Sequence, residues 1–133
     1  MCIFCKIISG EIPSYKIYEN EDVYAFLDIA DDAVGHTLVV PKNHCSSILD
    51  ASSDTIRNVM SAVQTISKHY TSNCGFTGVN IINNSGESAE QSVNHLHFHI
   101  IPRKDNDGMK VFPLLDKKNC DFEQIASLLA IEK

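Results

Sequence analysis

The sequence predicts an α+β domain in which one long helix packs on a five-stranded antiparallel sheet, with short helices on either side. Two observations lead to this prediction. Five short segments rich in β-branched and aromatic residues alternate with polar turns. Only one segment repeats apolar residues at spacings of three and four over several turns. Short connections between successive strands favour antiparallel pairing, and 133 residues suit a single domain spanning residues 1–133.

The first third of the chain predicts a short helix followed by three strands. Residues 2–9 read as one or two helical turns ended by Gly10. Two short strands, 16–18 and 23–29, enclose a polar turn. The run 36–40 is apolar and β-branched, which is typical of a central strand.

The middle of the chain predicts the long helix. Ser52, Ser53 and Asp54 are candidates for its N-cap, and Gly75 lies beyond its end. Its predicted apolar face consists of Ile56, Val59, Met60, Val63, Ile66 and Tyr70.

The remaining elements are two strands and a last helix. A fourth strand is expected over 78–83, and a polar loop of small residues covers 84–90. After the fifth strand, residues 104–133 form a less distinctive extension beyond a core of about 2–103. Residues 122–131 are expected to form a packing helix, with Phe122, Ile125, Leu128 and Leu129 on one side.

Charge and composition narrow the possible partners. A net charge of -6 argues against long nucleic acids, which need clustered Lys and Arg, but leaves room for one small nucleotide. No apolar run approaches the ~20 residues that span a bilayer, and no signal-peptide pattern begins the chain, so we expect a cytoplasmic protein with no membrane partner.

Five cysteines without an export signal favour reduced thiols or metal ligation; Cys74 and Cys120 are interpreted as inert.

Three histidines on alternate positions dominate the fifth predicted strand. His95, His97 and His99 share one face, while Leu96, Phe98 and Ile100 occupy the other. One alternative is that the row is only the polar outer face of a strand, on which histidines have accumulated by chance. Three strictly alternating histidines in a chain with only six argue against it. A metal site using all three is disfavoured, because the first and third lie roughly 13 Å apart along a strand. In the favoured interpretation the three histidines have different roles: one imidazole attacks as a nucleophile, a neighbour stabilises the transition state, and another is held in place.

Several ordered segments resemble the histidine triad (HIT) family, in its bacterial-type, zinc-containing adenosine phosphoramidase branch. The motif Gln-Ser-Val-Asn-His-Leu-His-Phe-His-Ile-Ile-Pro covers 91–102, and the similarity extends to residues 2–14, 25–29 and 35–44. The resemblance implies a homodimer that acts as a nucleotide hydrolase or nucleotidyl transferase. Its substrates would be purine nucleotide derivatives of AMP or GMP, either phosphoramidates or dinucleoside polyphosphates.

The resemblance also assigns catalytic roles. His97 would be the nucleophile that attacks the α-phosphorus and carries the nucleotidyl group. His99 would hydrogen-bond the phosphoryl oxygens, and the Ser92 hydroxyl would donate to the leaving-group atom.

The nucleotide would contact a wider set of residues under the same resemblance. Asp28 would bind the ribose hydroxyls, and Asn84 and Gln91 would lie near the phosphates. The base pocket would be apolar and would consist of Phe4, Ile7, Phe26 and Ile29. One departure is Glu90, where many relatives carry glycine, and it puts the substrate preference in question.

The Cys-x-x-Cys pair at positions 2 and 5 has the spacing of half a zinc site, although a redox pair is an alternative. The resemblance adds two ligands and implies one structural zinc per chain, held by Cys2, Cys5, His44 and His95. Cys45 could replace His44. His36 is interpreted as a supporting or hydrogen-bonded core histidine.

The favoured function is hydrolysis of purine nucleoside phosphoramidates through a covalent nucleotidyl-histidine intermediate. A dinucleoside polyphosphate hydrolase is the alternative enzyme. A zinc-stabilised nucleotide-binding module that acts through protein contacts is an alternative of a different class.

Overall fold

The computed structural model describes residues 2–131 and contains the predicted five-stranded antiparallel sheet, in the order β1-β2-β3-β5-β4. The strands are β1 (Lys16–Glu19), β2 (Val23–Leu27), β3 (Thr37–Pro41), β4 (Gly78–Ile82) and β5 (Phe98–Arg103). The helices are α1 (Ile3–Ser9), α2 (Ser53–Asn73) and α3 (Phe122–Leu129), and a single 3₁₀ turn covers Glu87–Ala89.

Residues with capping side chains or a left-handed backbone mark the ends of helices α1 and α2. The Cys2 sulfur accepts from the Cys5 backbone N–H at the start of α1, and Gly10 ends that helix in the left-handed region at φ 86°. The Ser52 hydroxyl accepts from the Thr55 N–H at 3.1 Å and caps α2 as predicted.

The central strand β3 carries apolar residues on both faces because each face of the sheet is covered. Alternate residues of β3 go to opposite sides: Val39 packs under α2, whereas Leu38 and Val40 pack against α1. The α2 side holds the larger cluster, formed by Val23, Ala25, Val39, Val59, Ala62, Val63, Ile66, Tyr70, Leu96, Phe98 and Ile100. The smaller cluster on the other side consists of Phe4, Tyr24, Phe26, Leu38 and Val40.

Two details of the predicted elements are wrong. Met60 is 38% exposed, and Ala62 is buried in the core instead, so the apolar face of α2 is rotated slightly from the predicted one. The fifth strand begins at Phe98, so that His95 lies in a bend before it and His97 lies directly ahead of its first residue.

The predicted packing of the last helix within the chain is also wrong. The apolar side of α3 faces away from the core; Phe122 is 82% and Leu128 is 76% exposed. No side chain of this helix is buried among the described residues. Within residues 2–131, no helix is both long enough and apolar enough to cross a bilayer.

Candidate active site and metal-binding cluster

The alternation of the histidine segment places its apolar and imidazole side chains on opposite sides. Leu96, Phe98 and Ile100 enter the core under α2. His95 and His97 are buried at 0% and 3% exposure, and the rings of His97 and His99 lie 5.1 Å apart between centroids. The alternation in the sequence therefore predicted correctly that the apolar side chains enter the core and that the imidazoles lie on the opposite side.

His97 is held in one orientation by its own backbone. Its Nδ1–H donates to the carbonyl oxygen of His95 at 2.7 Å, and the Phe4 ring packs edge-on against it at 5.2 Å. The remaining Nε2 forms no hydrogen bond with any residue of the described chain. An imidazole whose Nδ1–H is engaged presents a nucleophilic lone pair at Nε2.

His99 is linked to a chain of polar groups that the sequence did not reveal. His36 Nε2 lies 2.8 Å from His99 Nδ1, and His36 Nδ1 lies 2.7 Å from a carboxylate oxygen of Asp32. Since Nδ1–H donates to that carboxylate, one proton must lie between the two facing nitrogens. The interpretation of His36 as a supporting histidine agrees with these contacts. No spacing signal could have identified Asp32.

The environment of His99 disfavours its charged form. Burial, together with the neighbouring His97 and His36, lowers the pKa of His99 from its ordinary 6.5 to about 4. The neighbouring Asp28 and Asp32 carboxylates oppose this shift but do not outweigh it. His99 is therefore neutral at pH 7.

The predicted base pocket corresponds to an apolar cleft of about 400 Å³ beside α1. Phe4, Ile7, Phe26 and Ile29 all line it, and Asp28 lies at its edge. Ile29 is 82% exposed and therefore lies at the rim. Phe4 is shared between this cleft and the His97 ring, so the cleft begins next to the candidate nucleophile.

Asp28 points one free oxygen towards the histidines. Its Oδ1 accepts from the Ala30 N–H at 2.8 Å, whereas Oδ2 lies 3.7 Å from His36 Nε2. The Asp28 backbone N–H donates to the His36 carbonyl at 2.9 Å, which fixes the two residues side by side.

The remaining predicted site residues lie in different places. Asn84 lines a small cavity with His36 and His99, whereas Ser92 lines another with Cys2 and His44. Gln91 braces the loop: its amide nitrogen donates to the Ser46 and Val93 carbonyls, and its oxygen accepts from the Gly86 N–H.

Glu90 has the backbone conformation of a glycine position. Its φ is 65°, in the left-handed region that glycine adopts without steric cost. The side chain is exposed. A glycine, which the resemblance implies at this position, would meet this conformation without strain, whereas this chain meets it with a non-glycine residue.

Cys2, Cys5, His44 and His95 converge as the resemblance implied. His95 Nδ1 lies 3.3 Å from the Cys2 sulfur, and His44 Nδ1 lies 3.4 Å from the Cys5 sulfur. The two Nδ1 atoms are 3.1 Å apart. These separations resemble the edges of a tetrahedral zinc site, about 3.3–3.8 Å for bonds of about 2.0–2.3 Å.

The donor chemistry of this cluster also suits a metal ion. His95 Nε2–H donates to the Pro41 carbonyl at 2.9 Å, which leaves Nδ1 unprotonated towards the thiols. Burial lowers the pKa of His95, so its neutral, ligating form is favoured. Cys45 is not part of the cluster and packs against the core under α2. The four side chains therefore form a cluster that could bind a metal.

Comparison with known proteins identifies relatives along most of the chain. The model of the HIT domain matches residues 9–106. An adenosine 5'-monophosphoramidase of Candida albicans is 41% identical over 108 residues, which cover 78% of this chain and 71% of that protein.

Two solved structures share the fold closely. A member of the HIT family from Bacillus subtilis superposes with a TM-score of 0.83 at 42% identity, covering 96% of this chain and 94% of that one. A Zn-bound histidine triad family protein from Mycobacterium smegmatis has a TM-score of 0.79 at 35% identity, covering 86% and 84%. With a matching family model over most of its length and relatives above 30% identity, this chain belongs to the HIT domain family.

Proposed function

We propose that this protein hydrolyses purine nucleoside phosphoramidates, or transfers their nucleotidyl group, through a covalent intermediate on His97. One observation carries the proposal: the fixed His97 ring, with Nε2 unengaged, lies between neutral His99 and an apolar cleft. The named activity of the Candida albicans relative supports this substrate class.

The cleft suits a nucleoside. A purine ring would pack against the aromatic side chains Phe4 and Phe26, with Ile7 and Ile29 completing the apolar walls. The unengaged Oδ2 of Asp28 would accept hydrogen bonds from the ribose hydroxyls. With the nucleoside placed in this way, the α-phosphate would extend towards His97.

The reaction would proceed in two displacements at phosphorus. His97 Nε2 would attack the α-phosphorus and form a P–N bond while the bond to the leaving amine breaks; Ser92 would supply the proton that the amine accepts. A water molecule would then attack the same phosphorus and pass one proton to Ser92, which restores its hydroxyl, while the P–N bond breaks to release the nucleotide and regenerate neutral His97. Transfer to another acceptor would replace water in the second step.

His99 and the loop after β4 would stabilise the charge that develops on the phosphoryl oxygens. When His36 carries a proton on both nitrogens, it donates one to Asp32 and the other to His99 Nδ1, and neutral His99 then carries its own proton on Nε2 and donates it to an oxygen. Asp32 would favour this arrangement because its carboxylate stabilises the positive charge that His36 then carries. Asn84 would supply an amide donor nearby, whereas Gln91, whose two amide hydrogens already donate to the Ser46 and Val93 carbonyls, would hold the loop in place.

We also propose that one structural zinc ion is bound by Cys2, Cys5, His44 and His95. With four protein ligands no open position would remain, so the ion would supply a cross-link between α1 and the histidine segment rather than a reactive water. His95 offers its carbonyl to His97, and a fixed His95 would therefore keep the nucleophile oriented. A homodimer located in the cytoplasm completes the proposal.

The test is mass spectrometry of the protein mixed with an adenosine phosphoramidate and quenched under conditions that preserve phosphohistidine. We expect an adenylyl adduct on His97 that is absent from His97→Ala. His69→Ala is the matched control, because His69 is an exposed histidine of α2 and should leave the adduct unchanged.

The alternatives give different results in the same assay. Adduct formation from a dinucleoside polyphosphate at a much higher rate than from the phosphoramidate would favour a dinucleoside polyphosphate hydrolase. Saturable nucleotide binding with neither adduct nor product from any of these compounds would contradict the hydrolase proposal and favour a binding module.

A further inference from the structure

We propose that Asp28, His36 and His99 form a second site for a divalent transition-metal ion, and that Zn²⁺ bound there excludes the nucleoside from the adjacent cleft. This site is distinct from the cluster that contains the two cysteines. Exclusion of the nucleoside rests on the proposed function, whereas metal binding does not.

The three side chains already converge on one point. One ligating atom from each residue lies within 4.8 Å of the other two. His36 Nε2 is 2.8 Å from His99 Nδ1 and 3.7 Å from Asp28 Oδ2. Nitrogen ligands of a tetrahedral zinc are about 3.3 Å apart, so the two imidazoles would separate by about half an ångström and turn from each other towards the ion.

The donor atoms are suited to a metal. Two imidazoles and one carboxylate are a common set for first-row divalent ions that retain open positions. An ion would displace the single proton that lies between the two nitrogens, and both lone pairs would then face it.

A supporting carboxylate is already in place around this site. Histidines that bind metals commonly donate their other N–H to a carboxylate, which fixes the tautomer and strengthens the ligand. His36 Nδ1 has this contact with Asp32 at 2.7 Å. This arrangement leaves Nε2 of His36 as the ligating atom.

The backbone holds the site rigidly. His99 is paired with Leu38 in the β3–β5 ladder, and Asp28 N–H donates to the His36 carbonyl where β2 and β3 meet. His36 is buried, whereas Asp28 and His99 are partly exposed. An ion could therefore reach the site from the same side as the nucleotide.

Occupation by an ion would compete with the nucleoside for the same atoms. The Asp28 Oδ2 that would accept from the ribose would instead be a metal ligand. His99, held by the ion through Nδ1, would keep its Nε2–H, so the competition is for the Asp28 carboxylate. Free Zn²⁺ is therefore expected to act as a competitive inhibitor of this site.

Equilibrium dialysis of the full-length protein against Zn²⁺ tests the metal site. We expect two zinc ions per chain for the wild type, one for His36→Gln and one for the double variant Cys2→Ser, Cys5→Ser. Asp32→Asn should retain both sites but weaken one by roughly 10–100-fold. One zinc per chain in the wild type, or two in His36→Gln, would overturn the proposal.

A matched control separates this site from the exposed pair on α2. His69 Nε2 lies 3.6 Å from the Cys74 sulfur and could bind zinc weakly. His69→Gln should still bind two ions; loss of the second ion in this variant would contradict the proposal. Circular dichroism confirms that each variant is folded.

Cobalt spectroscopy and adenosine complete the test. Co²⁺ in the cysteine cluster should show thiolate charge-transfer bands, whereas the second equivalent should add only ligand-field bands. Adenosine has no phosphate that could chelate the metal. It should weaken the binding of the second equivalent of Co²⁺ and leave the binding of the first unchanged. If adenosine has no effect, exclusion of the nucleoside is wrong although the metal site stands. Two zinc ions per chain, together with no adenylyl adduct after a chelator has removed the weaker ion, would refute the proposed function and leave the metal site intact.

Discussion

At the scale of single residues, the protonation of His99 links the candidate site to stability. The unfolded chain takes up a proton on this residue near pH 6.5, whereas the folded chain does so only near pH 4. Acid between these two values therefore favours the unfolded state, and below the lower value no further loss occurs. The contribution of His99 is fully present above pH 6.5.

We expect the free energy of unfolding to fall by on the order of 2–3 kcal/mol between pH 6.5 and pH 4 because of this residue. Urea unfolding at a series of pH values measures the slope. His99→Gln should flatten it, and the control His69→Gln should leave it unchanged. A slope that is the same in His99→Gln as in the wild type would show that other groups cause the loss.

Residue patterns identified those parts of the site that lie close together in sequence. The alternation of His95, His97 and His99 follows from strand geometry, and the Cys2–Cys5 spacing follows from one helical turn. The chain from Asp32 through His36 to His99 spans 63 residues at its longer step and depends on how β3 pairs with β5. No local spacing encodes that contact.

At the scale of elements, α2 depends on its first turn. Ser52 satisfies the Thr55 N–H, which otherwise has no partner inside the helix, and its hydroxyl also donates to the Thr55 hydroxyl. The helix supplies most of one face of the larger core cluster. A weaker first turn of α2 should therefore lower the free energy of unfolding of the whole domain.

Ser52→Ala should lower the free energy of unfolding by about 1 kcal/mol, because a capping hydrogen bond is lost. Urea unfolding monitored by circular dichroism measures this change. Ser53→Ala is the matched control: it lies one residue further, inside the helix, and should change stability by less than about 0.5 kcal/mol. Equal losses in the two variants would contradict the assigned cap.

Periodicity predicted the existence of every strand and helix but not every side-chain environment. The spacing of three and four could not decide between Met60 and Ala62, which flank the same stripe of α2. The predicted helix at the end of the chain is present, yet its apolar side has no partner among residues 2–131. Amphipathic spacing indicates that a face should be covered and leaves open what covers it.

At the scale of the whole molecule, the C-terminal thirty residues carry a concentration of exposed apolar side chains. Large members of this set are Phe112, Leu114, Leu115, Phe122, Leu128, Leu129 and Ile131. Single exposed apolar residues are ordinary, whereas a group of this size is typical of a surface that another chain covers. The proposed homodimer provides a second copy for this surface.

Light scattering should give a molecular mass of twice the 14.8 kDa of one chain. The double variant Leu128→Glu, Leu129→Glu should shift the equilibrium towards the monomer at micromolar concentration. Lys117→Glu, Lys118→Glu is the control, since it changes charge in the same segment without altering the apolar side of α3. A wild-type mass of 14.8 kDa would contradict the dimer.

The metal-binding cluster joins two segments that the ribosome makes at very different times. Cys2 and His95 are separated by 93 positions, so at 5–20 residues per second the second is synthesised roughly 5 to 20 s after the first. During that interval the thiols of Cys2 and Cys5 lack the His95 side chain of the cluster. The nascent chain therefore carries an open pair of soft ligands, exposed to oxidants or foreign metals until His95 has been synthesised.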